Sequence, residues 1–229
     1  MPGGKRLRQT RLLWAWLLLG FVAGLPALDR PLRAEAPAPA IAKPADPGIA
    51  ALRRYRDSGK YAQDVAQAAE LARVRLREKL RDLPAGARPV IVSDIDETVL
   101  ASWTSVTDED FIWQPERFDR RARSGMQGLA PMVALYRQAR EMGVAIIFVT
   151  ARSDTLAEAT AQNLATVGLG DYARLILKPA GAPDDFKAEE RRKIRESGYT
   201  VLLYLGDQPG DLSGKAEDDI LIPNPFYTL

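Results

Sequence analysis

Four short runs along this chain are apolar at nearly every position: residues 90–93 (VIVS), 144–149 (VAIIFV), 174–177 (RLIL) and 200–205 (TVLLYL). A strand with one wet face alternates apolar and polar residues, and these runs do not. They suit strands buried on both faces. Helical patterns separate them. Residues 49–83 read as two helical pieces broken near Asp57-Ser58-Gly59, with Val65, Ala68, Ala72 and Leu76 at helical spacing in the second. Further helices are expected over residues 129–142, stopped by Gly143, over 153–167, capped by Ser153 or Asp154, and over 184–197, stopped by Gly198. Residues 219–222 supply a possible fifth strand. Apolar strands alternating with helices define an α/β fold around a central parallel sheet, preceded here by N-terminal helices.

In open parallel sheets, ligands collect beyond the carboxyl ends of the strands. The residues in those places are Asp94 and Asp96 after the first run, Thr150, Ala151 and Arg152 after the second, and Gly206, Asp207 and Asp211 after the fourth. The first run leads into three acids within four residues, Asp94, Asp96 and Glu97. Crowding like charges at a strand end is costly unless positive charge sits among them, so this rim is where a cation would be held.

Composition narrows the chemistry. There is no Cys and no His, which excludes thiol nucleophiles, Ser-His-Asp triads and Cys/His zinc sites. A bound metal would be ligated mainly by oxygen, which favours a hard ion such as Mg2+. The formal net charge of +2 is unevenly placed, because residues 1–36 hold Lys5, Arg6, Arg8, Arg11, Arg30 and Arg33 against Asp29 and Glu35. The remainder is slightly acidic, and nothing in it points to nucleic acid.

The first residues combine a basic start with an apolar run over 12–28. That is the layout of a secretory signal peptide, or of an uncleaved membrane anchor with the body outside, so residues 1–36 are expected to export the protein to the periplasm or beyond. Residues 37–47 are rich in Ala and Pro and read as a linker. The folded body is expected over residues 48–229.

A carboxylate at Asp94 suits a nucleophile that attacks phosphorus, and Asp96, two residues on, suits a proton carrier for the leaving oxygen and then for water. A Mg2+ ion held by Asp94, Asp207 and the carbonyl of Asp96 would offset the repulsion between these acids and a phosphate dianion. Thr150 offers a hydroxyl and a backbone N–H, and a lysine beside the phosphate would complete the charge balance. Lys178 directly follows the third run and Lys187 opens the next helix, and spacing alone leaves both open.

The order DIDET, VTAR, FKAEER, GDQPGDL, with LILKPAG before the third and LIPNPFY near the C-terminus, resembles the haloacid dehalogenase-like superfamily and within it the acid phosphatase group called subfamily IIIB. The resemblance covers about residues 48–229. It implies a Rossmann-like three-layer sandwich with a small or absent cap and a Mg2+-dependent phosphomonoesterase acting through an aspartyl-phosphate. It assigns Asp94 as nucleophile and metal ligand, Asp96 as acid/base and carbonyl ligand, Thr150 and Lys187 to phosphate, Asp207 as metal ligand and Asp211 as its support. Arg152 is expected either to reach substrate or to stand in solvent at a helix start. The chain departs from the family at Ala101, where an Asn is common, and in a short segment over 102–128. There Trp103, Phe111 and Trp113 either stack on a leaving group or pack the segment to the body. The alternatives that remain are a phosphotransferase, a nucleotide-specific phosphatase, and a binding or storage protein with a relict site.

Overall fold

The computed structural model describes residues 48–104 and 113–227. The expected export segment, the linker and Phe111 lie outside the described residues. Two helices come first, α1 (Ile49–Asp57) and α2 (Lys60–Arg81), broken where Gly59 takes a left-handed φ of 79°. The strands are β1 (Pro89–Ser93), β2 (Ala145–Ser153), β3 (Arg174–Lys178), β4 (Thr200–Gly206) and β5 (Asp219–Leu221). Between β1 and β2 lie α3 (Pro115–Ser124) and α4 (Ala130–Glu141); α5 (Ala157–Thr166) follows β2, and α6 (Phe186–Glu196) precedes β4.

All strand pairs are parallel, in the order β3-β2-β1-β4-β5. The chain winds outward from β1 through β2 to β3, then crosses back to continue with β4 on the other side of β1. The order therefore reverses between β1 and β4, and such a switch point opens a crevice beyond the strand ends.

Successive strand residues face opposite layers. Ile91, Ile146, Phe148, Leu203 and Leu205 join α2 and α4 in one buried cluster. Val90, Val92, Ile147, Val149 and Tyr204 face the other way, against Phe186 and Ile194 of α6. Each such side chain contributes about 1.5–3 kcal/mol when fully buried. Burial on both faces is why β1, β2 and β4 carry no alternation, whereas β3, at the edge of the sheet, is only half-buried despite its apolar run.

Two elements differ from the sequence expectation. β2 runs on to Ser153 instead of ending near Val149, so Thr150, Ala151 and Arg152 lie within the strand, although its pairing with β3 becomes irregular between Thr150 and Ser153. α3 was not expected, because PERFDRRARS is mostly charged and buries only Phe118 and Ala122, one turn apart. Ser153 does cap the following turn, its side chain accepting from the Thr155 N–H. No helix among the described residues is long and apolar enough to cross a membrane.

Candidate active site

The three acids of DIDET are separated by the way the chain turns. The N–H of Asp94 still bonds to the Leu205 carbonyl, 2.8 Å, which fixes the end of β1 against β4. The chain then folds over itself, with the Ile95 carbonyl accepting from the N–H groups of Thr98, Val99 and Leu100. Glu97 takes φ 51°, the single positive φ on a non-glycine among the described residues, a conformation that costs on the order of 1–3 kcal/mol. Each acid thereby gains its own partner.

Asp94, 5 % exposed, accepts from the Lys187 ammonium at 2.7 Å. The same ammonium reaches Asp211 at 2.5 Å. Asp94, Asp207 and Asp211 each place a carboxylate oxygen within 4.8 Å of the others. Asp207 Oδ2 accepts from Gln208 Nε2 and from Asn224 Nδ2, both at 2.7 Å, and Asp211 Oδ2 accepts from the Gln208 N–H at 2.9 Å. These bonds aim the carboxylates and leave Oδ2 of Asp94 and Oδ1 of Asp207 for a further ligand. Burial pushes the Asp94 carboxyl well above the ordinary range, against the pull of Lys187, with Asp211, Asp207 and Asp96 adding to the rise. Burial and the charge of Asp211 push Asp207 up to about 6, against its amide donors. Burial alone would lower Lys187, but Asp94 and Asp211 outweigh it and hold the ammonium above its usual value.

Three buried carboxylates against one lysine leave uncompensated negative charge. A hard cation with oxygen ligands fits that deficit, and no Cys or His competes for it.

Asp96 stands apart from this cluster. Arg152 grips it as a fork, Nε to Oδ2 and Nη2 to Oδ1, both 2.8 Å. The guanidinium also donates to Thr160 Oγ1 and lies 5.4 Å from the centre of the Phe118 ring. Arg152 is 3 % exposed, so it is no solvated helix-start arginine. Burial works against its charge, but Asp96 more than restores it. Thr150 is buried beside it, its Oγ1 accepting from the Arg152 N–H at 3.2 Å.

A cavity of about 640 Å³ opens onto Asp94, Asp96, Thr150, Lys187, Asp207 and Asp211 together. Trp113, Phe118 and Tyr227 line its other side, with Trp113 centred 4.9 Å from Phe118 and 5.0 Å from Tyr227. Lys178 also lines the cavity, but its near partner is Asp184, at 3.9 Å. Geometry thus brings Lys187 rather than Lys178 to Asp94. Trp103 is not in the cavity lining. It packs on Phe226, with Arg56 over its ring, so the stacking expectation does not hold for it.

Two contributors, Asn224 and Gln208, were not picked out from sequence, and Glu97, read there with the rim acids, stands outside the carboxylate cluster. Asn224, in LIPNPFY, holds Asp207 and accepts from the Phe226 N–H. Gln208 joins Asp207 to Asp211. Glu97, fully buried, accepts from Tyr61, Ser102 and the Trp103 N–H. Of these, only the recurrence of polar residues at a strand end could have flagged Gln208.

Residues 43–229 match the family described as HAD superfamily, subfamily IIIB (Acid phosphatase). The chain belongs to that family. It is 28% identical over 160 residues to "Acid phosphatase 1" of Solanum lycopersicum, covering 65% of this chain and 62% of that protein. It is 33% identical over 104 residues to "Vegetative storage protein 1" of Arabidopsis thaliana, covering 44% of this chain and 38% of that protein. The match therefore spans only part of each of these curated relatives. Among solved structures, the Class C acid phosphatase from Bacillus anthracis superposes with a TM-score of 0.68 at 21% identity, over 78% of this chain and 84% of that one. At that identity the likeness establishes a shared fold.

Proposed function

We propose that the chain is a metal-dependent phosphomonoesterase in which Asp94 carries the phosphoryl group. The observation that carries this reading is Lys187 bridging Asp94 and Asp211 inside a carboxylate cluster at the sheet's switch point. Asp94 and Asp207 each keep an oxygen for Mg2+, with the Asp96 carbonyl as a further ligand and Asp211 as support. Bound there, Mg2+ would supply the positive charge that lets a phosphate dianion approach these acids.

The rest follows from the chain's own groups. A carboxylate oxygen of Asp94 attacks phosphorus, and the bond from phosphorus to the ester oxygen breaks. Asp96 gives its proton to that departing oxygen, then accepts one from the water that attacks the aspartyl-phosphate and releases inorganic phosphate. Arg152 orients Asp96 by holding both of its oxygens in the fork, and one of them has to leave the fork for Asp96 to carry a proton. Lys187 and Thr150 stabilise the transferring oxygens. Trp113, Phe118 and Tyr227 face the leaving group. Export through the N-terminal segment would suit release of phosphate from esters outside the cytoplasm, and fractionation of cells making the full chain tests it.

The test is phosphate release from p-nitrophenyl phosphate and a nucleotide panel by the full chain. Turnover should require Mg2+, vanish in EDTA, and fall on the order of a thousandfold or more in Asp94→Asn. Because storage proteins occur among the relatives, folded, Mg2+-loaded protein without turnover at any pH would favour a storage role. Alcohols added as acceptors separate hydrolysis from phosphotransfer.

A further inference from the structure

The aromatic side of the cavity is tied to the acid turn by a buried polar network that does not itself line the cavity. Glu97 Oε2 accepts from the Tyr61 hydroxyl of α2 at 2.6 Å, and Oε1 accepts from Ser102 Oγ at 3.0 Å and from the Trp103 N–H. Ser102 Oγ in turn lies 2.5 Å from the Tyr227 hydroxyl. Since Ser102 has one hydroxyl hydrogen and gives it to Glu97, Tyr227 is the donor in that contact. Tyr227 lines the cavity, and its ring meets Trp113, which meets Phe118. Ser102 and Glu97 are fully buried and Tyr61 nearly so.

The segment that ends in Tyr227 is held at a second point. Asn224 binds Asp207 through its amide N–H and the Phe226 N–H through its oxygen. The Phe226 ring packs on Tyr61 at 5.0 Å and on Trp103 at 5.9 Å. Residues 224–227 therefore run from the carboxylate cluster to the aromatic wall, with Glu97 taking up the far end. A carboxylate fixed by three donors, one from α2 and two from the consecutive residues Ser102 and Trp103, is a stiff reference point. The Tyr227 hydroxyl of the wall reaches it through Ser102.

Resting on the phosphatase reading, we infer that Glu97, acting through Ser102 on Tyr227, is a positioning residue that sets the leaving-group wall and with it the preference for esters of large aromatic alcohols over small ones. Nothing in the network touches the space where phosphate would sit. Loosening it should weaken contact with an aromatic leaving group and leave the phosphate end unchanged.

Phosphonate analogues test this without turnover. Calorimetry with Mg2+-loaded full chain would compare 1-naphthylmethylphosphonate with methylphosphonate. The wild type should prefer the naphthyl compound. Ser102→Ala, which removes a hydroxyl and leaves the fold's apolar contacts intact, should cut that preference by about tenfold, the effect of losing one well-placed hydrogen bond in the chain. The methylphosphonate Kd should stay within about twofold by the same reasoning. Tyr61→Phe should act in the same direction, and Glu97→Gln, which keeps an acceptor for Ser102 and Trp103, should retain most of the preference. An unchanged ratio in Ser102→Ala and Tyr61→Phe, or equal weakening of both ligands, would overturn the inference. Wild-type turnover of p-nitrophenyl phosphate, measured alongside, reports separately on the phosphatase reading.

Discussion

Gly206 closes β4 where the chain has no room for a side chain. A Cβ there would lie 2.1 Å from Asp211 Cβ and 2.5 Å from Asp211 Oδ2. Gly206→Ala must therefore push Asp211 away, and with it the ammonium of Lys187. The expected cost is about 1–3 kcal/mol of stability, the usual range for overpacking a tight interior, together with a loss of Mg2+ affinity on the order of tenfold or more, as for other disturbed ligand supports. Thermal unfolding and a metal titration would measure the two effects. A variant equal to wild type in both would show that Asp211 tolerates displacement. The acids at strand ends were visible in the sequence because acids there are conspicuous. Their pairings were less so: Lys187 lies 93 positions from Asp94 and is singled out by the family resemblance rather than by spacing, and Arg152, a site candidate, lies 56 positions from the Asp96 it grips. Asn224 belongs to an irregular C-terminal segment whose only written clue is a run of turn-forming residues.

The buried strands and the helices over them were legible because burial on both faces leaves a strong apolar signature. The amphipathic run in α2 was legible from its single buried face at helical spacing, and Gly59, Gly143 and Gly198 marked breaks where the backbone takes positive φ. The extension of β2 past Thr150 was not, since Ala151 and Ser153 are exposed while Arg152 is buried. A buried arginine reads as a solvent residue until its partner is known. α3 escaped because it docks through Phe118 and Ala122 alone, too few apolar positions to set a period. Its role is to bring Phe118 to the cavity and to Arg152, so what hid the element is also what makes it part of the site.

Across the molecule, crowded acids couple stability to pH and to metal. Asp207 is pushed up to about 6 and Glu97 to about 8, both chiefly by burial, and Asp94 is pushed well above its ordinary range. Each folded-state value exceeds the unfolded one, so the stability that protonation contributes is complete below about pH 4 and is lost as pH rises through those values. In EDTA the melting temperature should therefore fall between pH 5 and pH 8, with Asp207 alone contributing on the order of 1 kcal/mol over that interval. Mg2+ competes with those protons, so its stabilising effect should grow over the same interval. A metal-free melting temperature that rises from pH 5 to pH 8 would contradict this balance.

The central claim is a covalent phosphoryl group on Asp94, and rapid acid quench of Asp96→Asn tests it most directly. p-Nitrophenolate is a good leaving group that needs no proton, so the first step should survive this substitution, while attack by water, which needs Asp96 as base, should be slowed. Mixed with p-nitrophenyl phosphate and Mg2+, the variant should release a burst close to one nitrophenolate per site, and mass spectrometry should find the phosphate on the peptide that contains Asp94. Phosphate on another residue, or turnover of the folded variant at an unslowed rate with no burst and no label, would contradict the account.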